Sequence, residues 1–269
     1  MQNYQKVLIS IDKVIKTSGL LKVSIFEKLY IWMYFRYKRF LEGRELIELF
    51  HYALNEWTDT KFESNLILLD IGAHIGFFTS YAASYSNNIN IIAVEPEGEN
   101  TKLFEKVHEN YINLKKVQLI KKAAWKFNGE IPFHFEKHNT ANNAYNSESN
   151  YLIPSITIDS LIENYKESLF LIKIDVQGFE FEVLQGAFKT LKDLKPLLII
   201  EIDEFVLQSR NKSGFELISF LESIGYKPWD IAKRKFWQVK ELDFQHKCID
   251  LLFKYSPDNR DKKQNINIE

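Results

Sequence analysis

Leu68-Leu69-Asp70-Ile71-Gly72-Ala73-His74-Ile75-Gly76-Phe77-Phe78-Thr79-Ser80 is the stretch on which the architecture of this chain turns. An apolar run from Leu66 to Ile71 ends on an acid and a glycine, and a helical pattern from Ile75 to Ser86 follows. That is the strand, turn and helix of an α/β unit. Glycines at 72 and 76 permit a tight turn and close backbone approach, while the helix start presents N–H groups without intrahelical partners. A dinucleotide-binding turn of the form G-x-G-x-x-G needs glycine in its middle place to admit a pyrophosphate, and His74 stands there.

The alternation continues beyond the turn. Further strands are predicted at Asn90–Val94, Val117–Ala123, Leu169–Ile174 and Leu197–Ile202, with the last two at Tyr226–Trp229 and Cys248–Phe253. Helices are predicted at Asn100–Asn110, Asp159–Tyr165, Glu180–Leu194 and Gly214–Ile224, and the Asn128-Gly129 turn introduces an extra strand at Ile131–Phe135. The polar, asparagine-rich stretch from Lys137 to Asn150 reads as a loop. Such a pattern gives an α/β fold: a doubly wound, mainly parallel sheet with helices on both faces, whose ligands sit at the carboxyl ends of the strands.

The 269 residues allow one large domain or one domain with an appendage. At 45% hydrophobic and 26% charged, with 10 Gly and 6 Pro, the chain is globular in composition, which excludes wholesale disorder. Its 35 basic and 36 acidic residues leave a net charge of −1, so no nucleic-acid partner is expected. A single cysteine, Cys248, excludes an internal disulfide and a cysteine-rich zinc site. No apolar run is long enough for a signal or membrane segment, and the expected location is the cytoplasm.

Residues 1–60 read as a helical N-terminal extension, 61–255 as the catalytic domain and 256–269 as a flexible tail. Apolar residues at helical spacing from Val23 to Leu54, broken near Gly43, indicate two helices. Nine Lys or Arg against five acids in residues 1–55 make this segment locally basic. A cap packed on the core is the plainer reading; the sharper one is peripheral contact with an anionic membrane or a protein partner through residues 23–54. A homo-oligomer stays open.

Asp70 ahead of the turn suits a cationic or zwitterionic ligand: its carboxylate meets an ammonium or hydroxyl while backbone donors meet a carboxylate. S-adenosylmethionine has that make-up. Glu95, directly after the second strand, is placed to accept both hydroxyls of an adenosine ribose. The ordered set LLDIGAHIGFFTS (68–80), AVEPEGENTKLFEKVHEN (93–110), KKAAW (121–125), ITIDSL (156–161), LIKIDVQGFEFEVLQGA (171–187) and KPLLIIEI (195–202) resembles the FkbM-type S-adenosylmethionine-dependent methyltransferases. The resemblance implies a class I, Rossmann-like methyltransferase sheet of seven strands with the last reversed. It also implies methylation of an oxygen on a sugar or other small natural product. By motif, Asp70, Gly72, Ala73, Gly76, Phe77, Glu95 and Pro96 would contact the cofactor, and Ala124 and Trp125 would border its adenine. Two departures from the family pattern stand out, His74 in place of Asn, retuning a cofactor contact, and Gln177 in place of Glu.

Asp175, at the end of the fourth strand, is a candidate for orienting the nucleophile or the methionine end of the cofactor. A hydroxyl nucleophile must lose its proton, and His134, His138, Asp175 and His74 are the available bases. Lys173 alternates with Ile172 and Ile174, which marks it as a paired interior lysine. Glu201 and Asp203 could join Asp175 around a cation, but three strand-end acids are no metal signature and no metal is expected. The expected function is O-methyl transfer from S-adenosylmethionine to a sugar, glycan or glycan precursor. A non-catalytic binding module and, further off, a nicotinamide-dependent oxidoreductase are the alternatives.

Overall fold

The runs Leu66–Ile71 and Leu169–Ile174 are buried at every residue, so their sheet must be covered from both sides. A computed structural model describes Leu29, Met33, Tyr34 and residues 43–58, 66–86, 88–134, 144–145, 151–163, 165, 169–238, 242, 244 and 248–256. In chain order its strands are β1 (Leu66–Ile71), β2 (Ile89–Val94), β3 (Val117–Ile120), β4 (Ala123–Ala124), β5 (Gly129–His134), β6 (Ala144–Tyr145), β7 (Leu152–Ile156), β8 (Leu169–Ile174), β9 (Leu197–Asp203), β10 (Tyr226–Asp230), β11 (Lys235–Phe236) and β12 (Cys248–Tyr255). The described helices are α1 (Gly43–Thr58), α2 (Phe77–Tyr85), α3 (Gly98–Asn113), α4 (Ile158–Leu161), α5 (Glu180–Gln185), α6 (Phe188–Asp193), α7 (Glu204–Ser209) and α8 (Gly214–Ser223).

The main sheet has the order β11-β10-β12-β9-β8-β1-β2-β3. Neighbours from β3 to β9 are parallel, and β12 runs antiparallel between β9 and β10. The seven strands expected of the fold are therefore present with the last reversed, and β11 adds a two-residue hairpin at the β10 edge. Chain order reverses between β1 and β8, so the crevice above that pair is the switch point where a ligand belongs.

Alternate residues of the strands face opposite layers. Ile67, Leu69, Ile71, Leu198, Ile200 and Ile202 pack with Val183, Leu184, Leu207, Leu217 and Leu221 of α5, α7 and α8. On the other face Leu66, Leu68, Ile91 and Ile199 pack with Leu49, Phe50 and Ala53 of α1 and Phe78 and Ala82 of α2. Phe50 is fully buried, and each such Leu or Phe contributes roughly 1.5–3 kcal/mol. The apolar face of α1 is thus part of the core layer. The rest of the stretch from Val23, apart from Leu29, Met33 and Tyr34, which are helical, lies outside the described residues, as does the tail from Pro257.

Local structure departs from the sequence pattern in several places. The third strand stops at Ile120, because Ala123 and Ala124 pair instead with Ser155 and Ile156 in a small sheet of order β4-β7-β5-β6. Leu152–Ile156 is a strand despite Pro154, which sits there with its ring exposed and opposite Glu130. Glu180–Leu194 is two short helices separated at Gly186, where a Cβ would lie 2.0 Å from the Trp125 carbonyl oxygen. Within the stretch read as a loop, Ala144 and Tyr145 pair with His134 and Phe133; the remainder of 137–150 lies outside the described residues.

Candidate active site

At the switch point Asp70 of β1 stands in register with Lys173 of β8. Asp70 is wholly buried; Thr79 Oγ1 of α2 donates to its Oδ2 at 2.6 Å, and Lys173 Nζ lies 3.6 Å from its Oδ1. Lys173 Nζ also donates to Asp175 Oδ2 at 3.2 Å. Burial works against the ammonium, but the fields of Asp175, Asp70 and Glu201 outweigh it and hold its pKa above the usual lysine range. The ammonium that Asp70 meets is therefore the protein's own. Lys173 is the interior paired lysine its alternation implied.

The turn after β1 is locked by main chain. Gly72 N–H and Ala73 N–H both donate to the Val94 carbonyl, at 2.9 and 3.1 Å, and Gly76 N–H to the Ala73 carbonyl at 2.8 Å. Gly72 has φ +77°, and a Cβ there would stand 1.8 Å from the Asp175 carbonyl oxygen. Gly76, at φ +86°, lies against the imidazole of His108. The close approaches these glycines allow are thus to the protein itself. His108 is buried with Nδ1 2.9 Å from the Phe104 carbonyl, which can only accept, so Nδ1 carries the proton and Nε2 accepts from Ser80 Oγ at 2.7 Å. What the turn presents outward is the N-terminal end of α2, with its positive dipole.

Glu95 braces this turn from β2. Its Oε2 accepts from His74 N–H at 2.9 Å, and its Oε1 accepts from Glu97 N–H and Asn100 Nδ2, each at 3.1 Å. Burial pushes its carboxyl up to about 7, the three donors only partly offsetting the desolvation. His74 itself takes a left-handed backbone, φ +53°, and stacks on the Tyr34 ring at 5.0 Å between centroids.

The loop after β8 is held by side chains. Asp175 N–H donates to the Ile71 carbonyl at 3.0 Å, and Gln177, at φ +55°, directs its Nε2 to Asp175 Oδ1 at 3.1 Å and to Glu201 Oε2 at 3.4 Å. Glu180, buried at the start of α5, accepts from Val176 N–H and Gly178 N–H through Oε1, at 3.3 and 3.1 Å. Its burial likewise raises its carboxyl to about 7. Glu180 thus caps the loop before its own helix. Arg210 lies over the Phe179 ring at 3.5 Å and closes the outside of this loop.

Between the two loops opens a cleft of about 450 Å³, its mouth included. Gly72, Ala73, His74 and Phe77 form one wall, Lys173, Asp175, Glu201 and Asp250 the other, with Tyr34 and Leu46 beside them. Gly76 and Glu95 lie behind the first wall. Ala124 and Trp125 are buried away from the cleft, Trp125 packing on Phe179 at 5.4 Å between ring centroids, and half-buried Pro96 only follows Glu95 out of β2. His134 ends β5, but its side chain and all of His138 lie outside the described residues. Among the described residues no three His, Cys, Asp or Glu side chains are grouped to hold a metal ion. The sequence reading missed Tyr34, Leu46 and Asp250 on the walls; Asp250 is delivered by β12, where it pairs directly opposite Glu201.

Sheet order and a reversed last strand define the fold of the class I S-adenosylmethionine-dependent methyltransferases, with an acid-braced glycine turn at its switch point. Within that class the chain belongs to the FkbM methyltransferase family, whose domain model (Methyltransferase FkbM domain) matches residues 70–228, more than half of the chain. Among solved structures, the methyltransferase FkbM from Methylobacillus flagellatus KT is similar at 18% identity with a TM-score of 0.50, covering 72% of this chain and 44% of that one. This chain therefore spans less than half the length of that relative. The precorrin-6y C5,15-methyltransferase from Geobacter metallireducens GS-15 aligns at 12% identity and TM-score 0.41 over 76% of this chain and 87% of its own. The Methanococcus jannaschii fibrillarin pre-rRNA processing protein aligns at 15% identity and TM-score 0.44 over 72% and 68%. No curated protein matches the chain. Among the described residues no helix is long and apolar enough to cross a membrane.

Proposed function

We propose that this chain transfers the methyl group of S-adenosylmethionine to a hydroxyl of a sugar, glycan or glycan precursor. The observation that carries the reading is the cleft at the β1–β8 switch point, walled on one side by the glycine turn and on the other by Asp175. Its residues fit the cofactor's chemistry. Glu95 fills three of the roughly four acceptor positions of a carboxylate, which leaves Oε2 one further hydrogen bond for a ribose hydroxyl. The sequence alone implied two such bonds. Asp175 offers a fixed anion to a cationic group, and the N-terminal end of α2 favours a carboxylate.

Bound there, the cofactor supplies an electrophilic methyl on a sulfonium. The chain's part is alignment and exclusion of water, with the attacking oxygen held about 3 Å from its target. A hydroxyl acceptor methylated there would give up its proton to a base or to water. Asp175 is poorly suited to that proton, since the Lys173 ammonium and the Gln177 amide both donate to its carboxylate; it orients. Of the four candidate bases, His74 is the imidazole that lines the cleft among the described residues. Tyr34, stacked on His74, gives the cleft an aromatic face, and Glu201 and Asp250 give it hydroxyl-accepting carboxylates.

Calorimetric titration with S-adenosylmethionine, S-adenosylhomocysteine and NAD tests the reading. Heat with the first two and none with NAD is the expected result, and no heat with either of the first two would sink it. Glu95→Ala should weaken S-adenosylmethionine about tenfold or more, through the lost charged acceptor; unchanged affinity would refute the ribose assignment.

A further inference from the structure

We propose that Gln177 is a positioning residue of the cleft: its side-chain amide clamps the carboxylates of Asp175 and Glu201 and so fixes the anion that the wall presents to a cationic ligand. The inference rests on the cofactor reading above. An amide nitrogen has two hydrogens, and here each meets one carboxylate, Asp175 Oδ1 at 3.1 Å and Glu201 Oε2 at 3.4 Å. The reverse orientation would set the amide oxygen against two acceptors, so the network fixes which way the group points. Asp175 and Glu201 follow the Ile174–Ile200 pair of adjacent parallel strands, side by side at the carboxyl end of the sheet, and Asp250 of β12 pairs opposite Glu201. Like charges so placed repel and would splay without a donor between them.

The clamp acts on Asp175 from both sides. Lys173, two residues before it, holds Oδ2, and Gln177, two residues after it, holds Oδ1, so the carboxylate cannot rotate away from the cleft. Gln177 reaches back only because its backbone is left-handed and is followed by Gly178 at φ +93°. The enclosing loop is itself fixed, by Glu180 Oε1 on the N–H groups of Val176 and Gly178 and by Arg210 Nη2 at 3.5 Å from the Gln177 carbonyl.

Gln177→Glu tests this, because a protonated glutamic acid can still donate one hydrogen bond whereas an ionised one adds a third charge between two carboxylates. Among the described residues, the groups around position 177 are Lys173 and Asp175 from β8, Glu201 and Asp203 from β9, Cys248 and Asp250 from β12 beyond them, Asp70 from β1 behind Lys173, and Glu180 and Arg210 around the loop. S-adenosylmethionine affinity of Gln177→Glu, measured by calorimetry beside the wild type, should be within about threefold at pH 5.5 and about tenfold or more weaker at pH 8.5. Gln177→Ala should be weaker by a similar factor at both pH values. A Gln177→Glu deficit equal at both pH values, or no deficit at either, overturns the proposal. Thermal melting of the unliganded proteins supplies an independent readout: the Gln177→Glu melting point should fall below wild type increasingly as pH rises, and a constant or absent difference counts against the clamp. Failure of the wild type to bind S-adenosylmethionine sinks the cofactor reading instead, while the melting comparison still judges the clamp.

Discussion

The two walls of the cleft are built by different physics. Behind the first, the turn after β1 is tied to β2 by two main-chain hydrogen bonds, closed on itself by a third and shaped by two left-handed glycines, with the Glu95 carboxylate added. The second, at the ends of β8, β9 and β12, is a network of charged side chains around one buried ammonium. Main-chain bonds fix geometry whatever the side-chain charges do; a charge network holds only while its balance is intact. One wall is a rigid mould and the other an electrostatic assembly.

Lys173→Met should break the second wall hardest. It would leave Asp70 and Asp175 without their shared cation, one of them fully buried, and should cost roughly 3–5 kcal/mol in denaturant unfolding. A loss under about 1 kcal/mol would mean that the wall does not depend on the ammonium. Gly72→Ala attacks the first wall through the backbone alone. Positive φ and a contact with the Asp175 carbonyl should together cost roughly 3 kcal/mol; a neutral result would show that the two loops can move apart freely.

Glu95 is the charged exception within the main-chain wall, and pH sharpens the contrast. Its folded pKa, about 7, lies above its unfolded value, so the stability tied to its protonated form is fully present below about 4.5 and is lost as pH rises through 7. Relative to the wild type, Glu95→Gln should therefore gain about 3 kcal/mol between pH 4.5 and 8, read as a difference between unfolding curves so that other titrating groups cancel. Glu180 titrates in the same range and remains in both proteins. A difference that does not change with pH would show that Glu95 is ionised throughout.

Which features were readable from sequence follows the same division. Asp70, the two glycines, Glu95 and Asp175 announce themselves because each lies just past an apolar run, and parallel strands put such positions on one edge. Trp125 sits in an equivalent place along the chain, yet it turns inward onto Phe179, since Ala123–Ala124 leave the main sheet to pair with β7. Asp250 carries no signal at all: it reaches the cleft near the start, not the end, of β12, because that strand is inserted antiparallel. Gln177 reads as a lost carboxylate until its amide is seen between two others. The alternation of Ile172, Lys173 and Ile174 shows an interior lysine, but not which acids surround it.

Local pattern, then, determined most strands of the main sheet, their parallel sense and the β1 turn, because periodicity and turn chemistry are written in consecutive residues. It also determined the family, through motifs in a fixed order. The tertiary structure alone decided that Asp70 is neutralised by Lys173, that the glycines admit Asp175 and His108 rather than a ligand, and that Tyr34 and Leu46 from the N-terminal segment wall the cleft. Each of these is a contact between residues far apart in the chain. Charge balance and close packing depend on what the fold sets opposite a side chain, and sequence spacing does not carry that information.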